Sequence, residues 1–192
     1  QAGFLWYLSG RFSSAVVNLS QVPMVTAPYL SMFASPAQAS AEIARAYKDA
    51  GLAIRPKPKS MGGAGLDFFD PDALPADVRE AVKKAIADGT LLPIETFQEM
   101  ARAQGKTPKS RSIGAKAKTA QDAAAFMFQA AERTNRLVSF IAAYRLAQRP
   151  EVMGRIRSDM RDNPLWTRRS KERRQDAATF AAFVVEETQF LL

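Results

Sequence analysis

The chain has 192 residues and a formal charge of +8, with neither cysteine nor histidine. The absence of cysteine excludes disulfides, zinc-thiolate sites, iron–sulfur clusters and thiol nucleophiles, and the absence of histidine excludes the commonest general base and the Ser-His-Asp triad. The apolar share of 47% is that of a globular protein, much of it alanine, which favours helices in close contact, and the basic balance suits a polyanionic or acidic partner.

Residues 1–51 read as an uncharged apolar helical segment. No charged residue occurs between Phe12 and Ala41, and Pro23, Pro28 and Pro36 punctuate the run. The spacing predicts a helix to about Leu19, an irregular turn around Ser20 to Ala27, and a short helix through Tyr29 to Phe33. Ser35-Pro36 then supplies an N-cap and a first-turn proline for a helix to about Ala50, with Gly51 ending it. The uncharged run is long enough to span a bilayer, but its prolines and many polar residues argue instead for burial against protein, with a conditional membrane encounter left open.

Residues 52–73 read as a Pro/Gly loop, in which Arg55, Lys57 and Lys59 alternate with prolines before Gly62-Gly63-Ala64-Gly65. The glycines lack the Lys-Ser/Thr of a phosphate loop and the preceding strand of a dinucleotide fold. Asp67, Asp70 and Asp72 could ligate a hard cation, yet Asp-Pro-Asp is also ordinary turn and helix-entry chemistry, which is the preferred reading.

Residues 74–104 form a predicted αα-hairpin. Its first helix opens at Pro75, carries Val78, Val82 and Ile86 on one face, and ends at Gly89. Its second runs from about Pro93 to Gly105 with Ile94, Phe97 and Met100 or Ala101. Residues 105–118 are a basic linker with no acid.

Residues 119–192 hold a long helix and the C-terminal helices. From Thr119 to Gln148, Ala123, Met127, Ala130, Thr134, Leu137, Ile141 and Tyr144 step by four and three, while Phe126 and Phe140 widen the stripe to a second face. Such a helix, about 30 residues and ~45 Å long, expects neighbours on both sides. Phe126, Met127, Leu137, Phe140, Ile141 and Tyr144 are therefore candidate assembly contacts. Glu132, Arg133, Asn135 and Arg136 sit amid that stripe, with inter-helix pairing to Arg45 or Glu186-Glu187 preferred over anion binding. Pro150 stops the helix. A shorter one follows from Pro150 to Arg161, and a last one begins near Ser170 with Ala177, Phe180, Ala181, Val184 and Phe190. Arg155, Arg157, Arg161, Trp166, Arg168, Arg169, Arg173 and Arg174 form the most basic stretch, suited to phosphate contact with base stacking or to an acidic protein.

The expected fold is all-α: an extended multi-helix assembly with one long amphipathic helix, Pro/Gly-rich loops and no sheet. The chain starts without methionine and runs into apolar residues at both ends, which reads as an ordered segment of a larger polypeptide. No cofactor, metal or catalytic residue is assigned.

The run Phe12–Leu30 (FSSAVVNLSQVPMVTAPYL) resembles a block of large phage polyvalent proteins, the PLxRFG-type internal virion or ejection proteins of short-tailed phages. Ala131–Arg136 (AERTNR) with Ala142–Ala147 (AAYRLA) resembles a second block of the same proteins, in the same order; the PLxRFG motif itself is absent from the chain. The resemblance implies a protein carried in the virion interior, ejected with the genome, and building a conduit across the host envelope. It implies as partners other ejection proteins, copies of the chain, nonspecific contact with DNA, and transient envelope contact through residues 12–41. Two other functions are expected to compete with it: a nonspecific nucleic-acid-binding helical module, and a fragment of a phage enzyme such as a cell-wall lyase using Asp67, Asp70 or Glu95.

Overall fold

A computed structural model describes residues 20–56, 67–91, 131–162 and 176–189. These residues are mostly helical. Ser20 and Gln21 lead into a π-helical turn, Val22–Thr26, that runs without a break into α1, Ala27–Ser31. The expected irregular turn is thus a widened helix. Pro28 has no N–H to offer the carbonyl four residues back, and its ring crowds that position. The coil loosens by one residue, and the Ala27 N–H reaches back five positions to the Val22 carbonyl.

Ser35 caps α2, Pro36–Ala53, as its sequence predicts. Its hydroxyl accepts from the Gln38 N–H at 3.2 Å, and Gln38 Oε1 accepts from the Ser35 N–H at 3.0 Å. The two bonds satisfy orphan groups reciprocally. Gly51 does not end this helix. It sits in the last turn, and α2 stops at Ala53, where Ile54 turns extended.

The segment expected to be loop, and the expectation of no strand, both need amendment. β1, Ile54–Pro56, pairs antiparallel with β2, Asp67–Phe69, with Ile54 opposite Phe69 and Pro56 opposite Asp67. Ile54 and Phe69 both pack on the core, so apolar burial holds the short ribbon in place. A 3₁₀ turn, Pro71–Ala73, leads to α3, Ala76–Ala87. Val78 and Val82 of α3 are buried as their spacing predicts, and Gly89 takes the left-handed φ of 77° needed to leave the helix. The second helix of the expected hairpin, the basic linker and residues 119–130 of the expected long helix lie outside the described residues.

Residues 131–147 are helical (α4), and none of them is exposed. A helix covered all round is a core helix. The longest helix among the described residues is α2, and α4 is the helix the others surround. Pro150 opens α5, Pro150–Asp162, after a turn at Gln148 and Arg149. The last helix, α6, spans Ala177–Gln189, not from Ser170. Asp176 fixes that start: its carboxylate accepts from the Thr179 N–H at 2.8 Å. Residues of the π-turn and α1 to α6 join in one contiguous core, so the described elements close around α4 and do not string out as an extended array.

Candidate functional site

Two polar joints hold α4 to its neighbours, and both are built from residues that interrupt apolar stripes. The first is ionic. On α2, Glu42 and Asp49 lie seven residues apart on the same side as the buried Ala39, Ala46, Ala50 and Ala53. The C-terminal end of α4 brings Arg145 and Arg149 against them. Arg145 Nη1 donates to Asp49 Oδ2 at 2.6 Å, and its Nε and Nη2 donate to the two carboxylate oxygens of Asp77 on α3 at 2.7 and 3.3 Å. Arg149 Nη2 donates to Glu42 Oε1 at 2.5 Å, while Arg45 reaches Glu42 Oε2 at 3.5 Å.

The Arg145 side chain is 8% exposed and that of Asp77 47%. Burial works against the charge on Arg145, but its bonds to Asp77 and Asp49 outweigh that and hold its pKa above the ordinary arginine value. The Arg145 hydrogen bonds, opposed by partial burial, keep the Asp77 carboxyl below its usual range. One planar guanidinium thus ties three helices together, a geometry lysine could not reproduce.

The second joint is neutral and fully buried. Thr26, the last residue of the π-turn, lies 3.0 Å from Ser139 of α4 and donates to Thr188 of α6 at 3.2 Å. Thr188 passes its own proton to the Val184 carbonyl at 2.7 Å. Either hydroxyl of the Thr26–Ser139 pair can supply the proton of that bond.

The expected assembly contacts fall mostly inside the chain. Leu137, Phe140 and Ile141 are buried in its own core, and Tyr144 is half-buried, stacked on Phe140 with ring centroids 6.2 Å apart. Leu137, Phe140 and Ile141 share one buried cluster with residues of the π-turn, α2, α3 and α6. Phe126 and Met127 lie outside the described residues.

Of the basic stretch, Arg155 and Arg157 are exposed on α5. Two residues apart on a helix is ~200° of rotation, so they flank α5 on opposite sides and do not form one strip. Arg155 Nη1 bonds the Phe33 carbonyl at 3.4 Å. Trp166, Arg168, Arg169, Arg173 and Arg174 lie outside the described residues, as does the side chain of Arg161.

The acids with a possible catalytic use have structural work where they are described. Asp70 accepts from the Asp72 N–H at 3.0 Å and so caps the 3₁₀ turn, and Asp72 pairs with Lys83 at 2.7 Å. Asp67 belongs to β2, while Glu95 and the glycine run lie outside the described residues. Glu132 pairs with Arg136 one turn along its own helix at 2.6 Å, and Arg45, expected across from them, is bonded to Glu42. Among the described residues no cluster of three or more acidic side chains is placed to hold a metal ion, and no helix is long and apolar enough to cross a membrane.

Sequence reasoning missed the ionic joint. Its signal was present: two acids at heptad spacing on the alanine face of α2 must meet cations if that face is buried. Comparison with family models, curated proteins and solved structures finds no match for this chain.

Proposed function

We propose that this chain is a structural segment of a phage internal virion protein that helps form the genome-ejection conduit by helix–helix assembly. The observation that carries the reading is the hydroxyl joint. The two sequence blocks that resemble those proteins lie far apart in the chain, yet they meet in one core. Thr26 belongs to the first block, and Ser139 stands between the two halves of the second. Leu30 of the first and Ala142, Ala143 and Leu146 of the second share the same buried cluster. Residues that must touch to close a core form a structural unit, and such a unit accounts for both blocks without a catalytic role.

The charge pattern supports the same reading. Asp49, Asp70, Asp72 and Glu42 are engaged in a cap and in ion pairs, and Arg155 and Arg157 point apart, which suits a scaffold better than a nucleic-acid track. Cross-linking mass spectrometry on intact phage particles, and on host envelopes just after infection, tests it. The expected result is cross-links from this chain to other internal virion proteins in the particle and to envelope components afterwards. Absence of the chain from purified particles would overturn the reading.

A further inference from the structure

We draw no further inference here: the strongest candidate, the exposed apolar surface patch of Met24, Pro28 and Met32 on the outer side of the N-terminal coil, carries nothing because nothing in the structure shows what covers it.

Discussion

The two joints on α4 do the same job with opposite chemistry. Near Arg145, formal charges from three helices converge, with Arg145 and Asp49 buried and Asp77 half exposed. Near Ser139, two threonines and a serine from three elements meet with no charge at all. An ion pair in a core is demanding, because removing one partner strands the other in a medium that cannot solvate it. Hydroxyls are short and neutral, so the helices around them pack closely and the loss of one strands only a dipole. The ionic joint therefore sets which helices pair and in what register, and the hydroxyl joint lets the N-terminal coil lie close to the core.

The sharpest way to break this comparison is Arg145→Met. It leaves Asp49 buried without its cation, and urea unfolding should show a loss of about 3–5 kcal/mol. Adding Asp49→Asn should restore a substantial part, and a failure to do so would mean that packing around the arginine stem, not charge, holds the seam. Next in size is Thr26→Val, which keeps shape but removes a donor and an acceptor from the neutral joint. The expected cost is about 1–3 kcal/mol. Replacing Thr26, Ser139 and Thr188 together by apolar residues should cost less than the sum of the single changes, whereas a full sum would show that the three hydroxyls act independently.

Acid separates the joints without mutation. The folded pKa of Asp77 lies below its ordinary value of 3.8, so its contribution is fully present above that value and is lost as the pH falls through the lower folded pKa. Asp77 is half exposed, so the effect is about 1 kcal/mol. Stability measured between about pH 5 and about pH 2.5, the carboxylate range, should fall less steeply in Asp77→Asn, and the hydroxyl variants should follow the wild-type slope. The smallest expected effect is a gain. Gly154 is exposed in the interior of α5 with open space where a Cβ would stand, so Gly154→Ala should add roughly 0.5–1 kcal/mol. It touches neither joint, so the gain should be the same in the Arg145 and Thr26 backgrounds.

How far the sequence reveals this molecule follows the range of the forces involved. Ser35-Pro36 announces the start of α2, and Val78 and Val82 announce the inner face of α3, because capping and periodicity act within a few residues. The ribbon between Ile54 and Phe69 is invisible locally, since proline-rich flanks resemble a loop and the pairing partner is distant. The stripe of Leu137, Phe140 and Ile141 is legible as something to be covered, but periodicity cannot say whether the cover comes from the same chain or another. The ionic joint needed two distant facts together: acids on an alanine face, and arginines near the end of another apolar helix.

Glu42 and Asp49 have one more consequence, in time. Arg145 follows Asp49 by 96 residues. At the ordinary pace of synthesis, about 5–20 residues per second, the alanine face of α2 waits roughly 5–20 seconds for the helix that covers it. During that interval its two carboxylates stand as gatekeepers, keeping a sticky surface hydrated and discouraging premature partners. The arrival of Arg145 and Arg149 then turns the same pair from protection on the nascent chain into the lock of the finished core.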